Sequence, residues 1–283
     1  MLTDHYKTLG SVSKHEIRSH LSQASLSKEQ RVRYLCQVIE AKAYEIFASE
    51  PAKLCSRLQS DLFTELYESL ANEQGLSQKG FYCPEPDAAR LREGAFPSLQ
   101  DYIKDWPISK ITEQLEEEIR LARLVGGSTT REPIYTGQWW SVNLFDSSGQ
   151  DRCPAAGLFP ETLRLLLQAE EMQRSLDIVS TAPDKLPTLI ARISWLGPHT
   201  RIEPHFGVNF WKTRLHLPIW IPKDNCFIVA GTEQRIWEKH QPLFLDDTYL
   251  HAVINWSQEP RIVLLIDIIH PKAAREEVRA LVK

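Results

Sequence analysis

The residue types that could support catalysis are two histidines and an arginine in the C-terminal half of the chain: His205, His251 and Arg261. Two imidazoles leave most positions of a six-coordinate metal open, and non-haem Fe(II) oxygenases use such positions for a cosubstrate and oxygen. Arg261 stands at the start of a long apolar run, and its guanidinium would pair bidentately with a carboxylate of an anionic cosubstrate. Two alternatives stay open at this point. Distant histidines are often structural, and an arginine at a strand end often forms a surface salt bridge.

A glycine close to the first histidine bears on the identity of the metal. The usual facial triad of non-haem iron combines two histidines with one carboxylate, which stands two residues after the first histidine. In this chain the sequence is His205-Phe206-Gly207, so a glycine occupies the carboxylate position. Either this glycine argues against iron, or a water molecule or a substrate group fills the coordination position.

The strand-like segment KTRLHL adds two further cationic or polar groups. Arg214 and His216 alternate with their neighbours, so they share one face of a strand. If this face points inward, the two groups need an anionic partner, because unpaired buried charge is costly. If it points outward, they are solvated. The hydroxyl of Ser194 could donate to the same carboxylate as Arg261, although a single serine in a strand often has no function.

The elements that must position these residues are short β-strands. From Leu176 onward, β-prone runs alternate with turn residues, which favours a sandwich or barrel over βαβ units. The aromatic run Ile134–Leu144 is also β-prone, and the continuously apolar Ile262–Ile266 is typical of a strand buried on both faces. The predicted strands cover residues 176–181, 188–196, 201–205, 212–220, 226–230, 233–237, 242–245, 249–255 and 261–269.

The region before Gly127 is predicted to be helical. Ser27 suits the N-cap of a helix, and apolar residues then recur at helical spacing. We therefore predict an α+β protein: a helical N-terminal region, residues 1–128, precedes a domain with a double-stranded β-helix (jelly-roll or cupin) core, residues 129–283. The predicted helices cover residues 12–24, 27–50, 52–73, 87–94, 98–105, 109–124 and 272–281, and a short one opens at Pro160.

Composition limits the partners and the compartment. The net charge of −4 gives no support for a nucleic-acid partner, which usually needs a basic excess. No apolar run approaches the roughly 18–20 residues that cross a bilayer, and the start, MLTDHYKTLG, lacks the pattern of a signal peptide. The five cysteines form no CxxC pair, which argues against a disulfide scaffold and for a reducing environment. We therefore expect a cytoplasmic protein with no membrane or nucleic-acid partner.

Several segments together resemble a known family. These are GQWWSVNLFDSSG, PHTRIEPHFG, KTRLHLPIWIP, LFLDDTYLHAVIN and RIVLLIDIIHP, which follow one another in this order. They are similar to the aspartyl/asparaginyl β-hydroxylase family of Fe(II)/2-oxoglutarate-dependent dioxygenases. The resemblance extends from about Ile134 to Pro271, and the helical part before about residue 130 matches no family that we can name.

The resemblance implies a role for each matching residue of a metal and cosubstrate site. His205 and His251 correspond to the two iron-binding histidines of the family. Gly207 corresponds to the family's own lack of a metal-binding carboxylate, so the glycine that argued against iron supports this family. Arg261 and Ser194 correspond to residues that hold the distal carboxylate of 2-oxoglutarate. The implied cofactors are Fe(II), 2-oxoglutarate and O2.

Other matching positions concern the rest of the site. Arg214 and His216 correspond to residues that contact the other end of 2-oxoglutarate. Lys212 stands where hydroxylases of aspartyl residues carry a second arginine that faces the substrate. Asp246 and Asp247 correspond to an acidic pair that orients the loop before the second histidine. Three tryptophans are candidates for lining the substrate pocket, with core packing as the alternative: Trp139, Trp140 and Trp211.

The function implied by the resemblance is hydroxylation of an unactivated C–H bond. The expected target is the β-carbon of an aspartate- or asparagine-like amino acid in small-molecule or natural-product biosynthesis. This amino acid is free, part of a peptide or bound to a carrier protein. One alternative keeps the cofactors but changes the outcome to halogenation, desaturation or cyclisation. Others are a non-catalytic jelly-roll binding module, or an interaction protein whose working part is the helical region.

Overall fold

A computed structural model gives the fold of the protein. It describes residues 8–74, 94–122, 130–131, 135–149, 153, 155–181, 188–207 and 211–272. The helices predicted over 87–94 and 272–281 lie outside the described residues, except for one terminal residue of each. Among the helices of the described ranges, none combines the length and the hydropathy that crossing a bilayer would require.

Two antiparallel β-sheets face each other in the C-terminal half. Within the described residues, the larger sheet has six strands in the order β1-β3-β4-β11-β6-β9, and the smaller has five in the order β2-β5-β10-β7-β8. From β4 onward the chain alternates between the sheets, apart from the β7-β8 hairpin, which is the winding of a double-stranded β-helix. The strands are β1 (Thr130–Arg131), β2 (Tyr135–Thr136), β3 (Trp139–Asp146), β4 (Ile190–Leu196), β5 (Thr200–His205), β6 (Lys212–Trp220), β7 (Cys226–Ala230), β8 (Glu233–Arg235), β9 (Leu243–Leu245), β10 (His251–Asn255) and β11 (Arg261–Ile269).

Strand β11 lies in the middle of the larger sheet, between β4 and β6, and all of its residues are buried. Val263 and Leu265 point into the space between the sheets, whereas Leu264 and Ile266 pack on the outer side. The two-sided burial that the apolar run predicts is therefore confirmed. Because alternate residues face opposite sides, Arg261 shares the inner face with Val263 and Leu265.

Three helices cover the outer face of the larger sheet. They are α5 (Ile108–Leu121), α6 (Pro160–Gln168) and α7 (Glu170–Thr181). Their buried residues join one hydrophobic cluster with outward residues of β6 and β11 such as Leu215 and Leu264. Helix α6 begins at Pro160 as predicted, because proline has the backbone angle of a first helical turn and lacks only an N–H that would be unbonded there.

Four helices cover the outer face of the smaller sheet. They are α1 (Lys14–Leu21), α2 (Lys28–Ser49), α3 (Leu54–Leu58) and α4 (Asp61–Gln74). Ser27 caps α2 in a capping box with Gln30, as its position in the sequence predicts. The helices bury an apolar face against Val229, Ala252 and Ile254, which point away from the larger sheet. They support the back of the sheet that carries both histidines.

Two predicted elements are divided or have a different type in the structure. The helix predicted over 52–73 is divided into α3 and α4 at Gln59-Ser60, because serine favours the position just before a helix. The strand predicted over 176–181 is the last part of helix α7. Its β-branched residues suggested a strand, but its buried residues recur at helical spacing and pack beside β11, which overrides the local propensity.

The region predicted as a helix over 98–105 contains a shorter 3-10 turn, Gln100–Ile103. The division of the chain into residues 1–128 and 129–283 stays a prediction. Helix α5 falls in the first of these segments, yet its buried residues Ile111 and Leu115 pack in the cluster on the larger sheet. The N-terminal segment therefore contacts both sheets.

Candidate metal and cosubstrate site

The fold brings the two distant histidines together. His205 is the last residue of β5 and His251 is the first of β10, and these neighbouring antiparallel strands pair the two residues directly. The centroids of their imidazole rings are 4.1 Å apart. Both residues belong to the smaller sheet, on the face that points towards the larger one.

The same local contact fixes the proton of each ring. Nδ1 of His205 lies 2.7 Å from the carbonyl oxygen of Glu203, and Nδ1 of His251 lies 2.9 Å from that of Tyr249. A carbonyl only accepts, so Nδ1 carries the hydrogen and Nε2 keeps its lone pair. Burial, and then the neighbouring His251, lowers the pKa of His205 to about 3, and burial lowers the pKa of His251 to about 4.

The glycine after the first histidine has no room for a side chain. The N–H of Gly207 donates to the carbonyl oxygen of Asp247 at 2.6 Å, and a Cβ at position 207 would lie 2.6 Å from Cγ of Asp247. A carboxylate side chain at position 207 would therefore displace Asp247. Within the described ranges, no group of three or more histidine, cysteine or acidic side chains is placed to hold a metal. Two neutral imidazoles with unprotonated Nε2 atoms fit a divalent metal whose other positions stay open.

Arg261 is the first residue of β11 and lies on the inner face of the larger sheet. Its side chain is buried, with 2% of its surface exposed. Nη1 donates to Oγ of Ser194 at 3.1 Å, and the indole N–H of Trp139 donates to the same oxygen at 3.0 Å. With both lone pairs of Ser194 Oγ engaged, its own hydrogen is left to be donated.

No carboxylate of the described residues balances the charge of Arg261. In the part of the chain that the structure describes, this guanidinium forms no ion pair, and its Nε has no hydrogen-bond partner. Burial lowers the pKa of Arg261 to about 10. A buried guanidinium without an anion is unfavourable by several kcal/mol, roughly, so an anionic ligand is the partner that this arrangement lacks.

His216 lies on the inner face of β6, as the alternation in KTRLHL allowed. Its Nδ1 accepts the indole N–H of Trp237 at 3.1 Å, and its Nε2 is buried without a partner among the described residues. Burial, followed by the charges of Arg261 and Arg214, holds the pKa of His216 well below its usual value.

Arg214 and Lys212, further along the same face, have carboxylate partners. Nε of Arg214 lies 2.8 Å from Oδ1 of Asp267, and its Nη1 lies 3.2 Å from Oδ2 of Asp247. Nζ of Lys212 lies 2.5 Å from Oδ2 of Asp267. Burial acts to raise the pKa of Asp267, but Arg214 and Lys212 outweigh it and lower this pKa to about 2. These four side chains form one charge network.

The three tryptophans predicted to line the pocket lie on two different sides of the larger sheet. Trp139 points between the sheets and bonds Ser194, and Trp211 packs in the same inner cluster. Trp140 lies on the other face of β3, where its register partner is Trp195. The structure therefore brings Trp139 to the site and does not bring Trp140 there.

The two acidic residues before His251, Asp246 and Asp247, have different hydrogen-bond partners. Oδ1 of Asp246 accepts the N–H and the hydroxyl of Thr248, which shapes the turn before β10. The N–H of Asp246 donates to the carbonyl oxygen of Ala95 at 2.9 Å, so the segment at residue 95 reaches this end of the sandwich. The orienting role predicted for Asp246 and Asp247 is consistent with these bonds.

Sequence reasoning did not identify three residues around the site. Asp267 interrupts the apolar run RIVLLIDII at a position on the same face as Arg261, which is a signal that could have found it. Trp237 carries no signal beyond its residue type. Glu40, in α2, accepts the N–H of Phe206 next to the first histidine at 3.1 Å, and burial raises the pKa of Glu40 to about 7.

Comparison with known proteins relates the sequence of this chain to a family. The model of the family "Aspartyl/Asparaginyl beta-hydroxylase" matches residues 108–271. The mouse aspartyl/asparaginyl beta-hydroxylase is 32% identical over 90 residues, which are 32% of this chain and 12% of that protein. Aspartate beta-hydroxylase domain-containing protein 2 of Xenopus tropicalis is 36% identical over 94 residues, which are 32% of this chain and 25% of that protein.

This chain therefore aligns with only a small part of either relative. Among solved structures, one titled as a predicted oxalate decarboxylase from Thermotoga maritima covers 52% of this chain and 99% of its own. Its TM-score is 0.30 and its sequence identity is 11%.

Proposed function

We propose that this chain, because it belongs to the aspartyl/asparaginyl β-hydroxylase family, is an enzyme that uses Fe(II), 2-oxoglutarate and O2 to hydroxylate an unactivated C–H bond. The target that we propose is the β-carbon of an aspartate- or asparagine-like amino acid. The family match covers more than half of the chain and includes all the residues of the candidate site.

One observation carries this proposal. Arg261 is buried without an anion among the described residues, and the opposite sheet of the same sandwich carries two neutral histidines whose Nε2 atoms are unprotonated. A binding module with a purely structural interior would not benefit from a buried, unbalanced guanidinium, which costs free energy. A dicarboxylate that reaches from a metal on the histidines to Arg261 would satisfy both groups at once.

Each residue of the site has a task in this scheme. His205 and His251 hold the metal through Nε2, with their rings oriented by the backbone carbonyls behind them. Arg261 and Ser194 bind the distal carboxylate of 2-oxoglutarate, one by charge and the other through its hydroxyl hydrogen. His216 donates from Nε2 to the cosubstrate. Arg214 lies beside it, and its contact with the cosubstrate stays a prediction.

The bound metal and cosubstrate would supply an oxidant that converts C–H to C–OH while 2-oxoglutarate and O2 become succinate and CO2. The protein orients the reactants and keeps water out. Trp139 and Trp211 pack in the inner cluster between the sheets, and Gly207 packs tightly against Asp247, which we infer helps to exclude water.

The substrate and its context are part of the proposal. Lys212 provides a positive charge near the site, but its ammonium group already pairs with Asp267, so a carboxylate of the substrate would share it. We propose an amino-acid substrate that is free, peptidyl or bound to a carrier protein. We place the activity in the reducing cytoplasm, since the described thiols of Cys36 and Cys226 are free and buried.

Among the alternative reactions, halogenation is the one against which the geometry of the site provides an argument. It would need room for a halide beside Gly207, where the carboxylate of Asp247 already lies. A second negative charge there is unfavourable, so we favour hydroxylation. The mass of the product, formed with and without chloride, separates the two outcomes, and a loss of two hydrogens would identify desaturation or cyclisation.

The first experiment needs no substrate. Fe(II) and 2-oxoglutarate are added to the purified protein without oxygen, and the visible charge-transfer band of the chelated complex is recorded. We expect the band in wild type and none in His205→Ala. Arg261→Met should need at least about 30-fold more 2-oxoglutarate, because truncating one partner of a buried charge pair costs about 2 kcal/mol or more.

A matched control is Arg201→Met. Arg201 also lies over an aromatic ring, that of Phe47, but on the outer side of the smaller sheet, so its loss should leave the band unchanged. Absence of the band in folded, metal-loaded wild type would contradict the proposal. If the band appears, consumption of 2-oxoglutarate with free, peptidyl and carrier-bound aspartate then identifies the substrate class.

A further inference from the structure

Trp237 contacts two residues of the proposed cosubstrate site. It follows β8, and its side chain is buried in the cluster between the sheets. Its indole N–H donates to Nδ1 of His216 at 3.1 Å, and the two ring planes are nearly parallel, at 10°, with centroids 6.1 Å apart, as an edge-to-edge hydrogen bond requires. The guanidinium carbon of Arg261 lies 4.7 Å from the centroid of the Trp237 ring. A single tryptophan therefore touches two side chains, those of His216 and Arg261, that each have a buried nitrogen without a hydrogen-bond partner among the described residues.

The contact with His216 decides which ring nitrogen carries the proton. An indole N–H can only donate, so Nδ1 of His216 must be the unprotonated nitrogen. In a neutral imidazole the hydrogen is then on Nε2, which is buried and has no acceptor among the described residues. This is the opposite tautomer to that of His205 and His251, whose Nδ1 atoms face carbonyl oxygens.

The difference in tautomer has a chemical consequence. Nε2 of His205 and His251 offers a lone pair, which suits a metal. Nε2 of His216 offers a hydrogen, which suits an oxygen atom of a carboxylate or keto group and repels a metal. The same side chain type thus serves two purposes in one site, and the partner of Nδ1 selects between them.

The contact with Arg261 fixes the second group. A guanidinium over an indole face is held by a cation–π interaction, which is stronger when both groups are out of water. With one face on Trp237 and Nη1 on Ser194, the guanidinium has a defined plane. Its Nε remains without a partner among the described residues.

We propose that Trp237 is a positioning residue for the anionic cosubstrate, acting by holding His216 in the Nε2–H form and by supporting the guanidinium of Arg261. This inference rests on the proposed function, because the ligand that it concerns is 2-oxoglutarate. Trp237 itself does not touch the cosubstrate in this scheme. Its effect on binding passes through His216 and Arg261.

The test uses Trp237→Phe, which keeps an aromatic ring under Arg261 and removes the N–H. The matched control is Trp106→Phe, since Trp106 is also buried and also donates its N–H to a side chain, the carboxylate of Glu171, on the far side of the larger sheet. Two properties are measured. The first is the affinity for 2-oxoglutarate with Mn(II) in place of Fe(II), and the second is the pair of 15N shifts of the His216 ring in the metal-free protein.

We expect Trp237→Phe to weaken 2-oxoglutarate binding about tenfold, in proportion to one lost hydrogen bond to the correct tautomer. The affinity for Mn(II) alone should stay within about twofold of wild type, because the metal-binding histidines depend on backbone carbonyls. The 15N shifts should show that the His216 proton no longer resides on Nε2 alone. In the His216→Ala background, Trp237→Phe should lose most of its effect, since contacting residues are not additive.

An unchanged affinity or unchanged ring-nitrogen shifts in Trp237→Phe would overturn the inference. An equal loss of 2-oxoglutarate affinity in Trp106→Phe would also overturn it, because the effect would then be one of general packing. If wild type itself binds no 2-oxoglutarate, the proposed function fails together with the inference. That result is distinct from wild type and Trp237→Phe binding 2-oxoglutarate equally well, which contradicts only the role of Trp237.

Discussion

The inner face of the larger sheet has two ends that treat buried charge differently. At one end, Arg214 and Lys212 share the carboxylate of Asp267, and Arg214 also reaches Asp247. At the other end, Arg261 has hydrogen bonds and an aromatic ring around it but no carboxylate among the described residues. We call these the balanced end and the open end.

The difference between the two ends distinguishes the charges that stabilise the fold from the charge that is available to a ligand. The cations of the balanced end are neutralised within the chain, so they contribute to the structure and have little charge left for a ligand. The open end keeps a cation that no described carboxylate neutralises, and we infer that its partner is a ligand. In a protein interior this arrangement is costly without a ligand, which is why we assign ligand binding to the open end.

The largest expected effect tests the balanced end. Asp267→Asn leaves Arg214 and Lys212 without their shared carboxylate, and we expect the free energy of unfolding at pH 7 to fall by about 3–5 kcal/mol. Urea denaturation measures it. Asp146→Asn is the control, because Asp146 is also buried but only caps a turn through Ser148, and it should lose clearly less. Equal losses in the two variants would remove the basis for a special charge network.

The pH dependence of the same variant sharpens the test. Burial acts to raise the pKa of Asp267, and the two cations lower it to about 2, below the value of 3.8 expected in the unfolded chain. A lowered pKa gives stability that is complete above pH 3.8 and disappears as the pH falls towards 2. The stability difference between wild type and Asp267→Asn should therefore be constant from pH 5 to 7 and shrink below about pH 4. A difference that grows on acidification would contradict the assigned pKa shift.

Substitution of the buried charge at the open end should change the free energy of unfolding in the opposite direction to Asp267→Asn. In the absence of 2-oxoglutarate, Arg261→Met should unfold with an unchanged or higher free energy, by up to about 1–4 kcal/mol, because it removes a buried charge without an anion. Wild type should gain about 2.7 kcal/mol at a 2-oxoglutarate concentration 100 times its Kd, and the variant, which binds at least about 30-fold more weakly, should gain less than about 1 kcal/mol at the same concentration. A large loss of stability in the ligand-free variant would mean that Arg261 is structural.

Ser194→Ala should have a smaller effect at the open end. Removing the hydroxyl takes one hydrogen bond from the distal carboxylate, and we expect the affinity for 2-oxoglutarate to fall about five- to tenfold. Isothermal titration with Mn(II) measures it. The control Thr213→Val removes the hydroxyl that donates to the carbonyl of Leu245, which should affect stability alone. Comparable affinity losses in both would argue that Ser194 acts only through packing.

The smallest effect is expected for Trp140→Phe. Trp140 lies on the outer face of β3, away from Ser194 and the metal site, so turnover and cosubstrate affinity should change by no more than about twofold. Trp139→Phe removes the N–H that holds Ser194 and should weaken 2-oxoglutarate binding several-fold. Steady-state consumption of 2-oxoglutarate compares them. A larger effect at Trp140 would place part of the substrate pocket on the outer side of the sheet.

Local patterns explain what could be predicted from the sequence. The strands β6, β7 and β11 were predicted with their observed bounds, because each is a compact β-prone run between turn residues. The alternation in KTRLHL placed Arg214 and His216 on one face, and only the fold could show that this face points inward. The positions of His205 and His251 followed from a family resemblance, and each ring is then oriented by a carbonyl only two residues away.

Contacts between distant strands explain what was missed. The partnership of Asp267 with Arg214 depends on the register of β11 against β6, which an irregularity at Ile262/Val263 shifts, and no local pattern gives that register. Trp237 was predicted as the last residue of a strand over 233–237, but β8 ends at Arg235, and no local pattern indicated that Trp237 would bond His216. The helical ending of α7 was misread because a packing contact with β11 outweighed its β-branched residues.

The most direct measurement of the central claim is a crystal structure of the protein with Mn(II) and 2-oxoglutarate, grown without oxygen. We predict that Mn(II) binds Nε2 of His205 and His251. The distal carboxylate of 2-oxoglutarate should bind Arg261 and Ser194, and Asp267 should still bind Arg214 and Lys212. A distal carboxylate on Lys212 or Arg214, with Arg261 left without an anion, would contradict the assignment of the open end as the cosubstrate site.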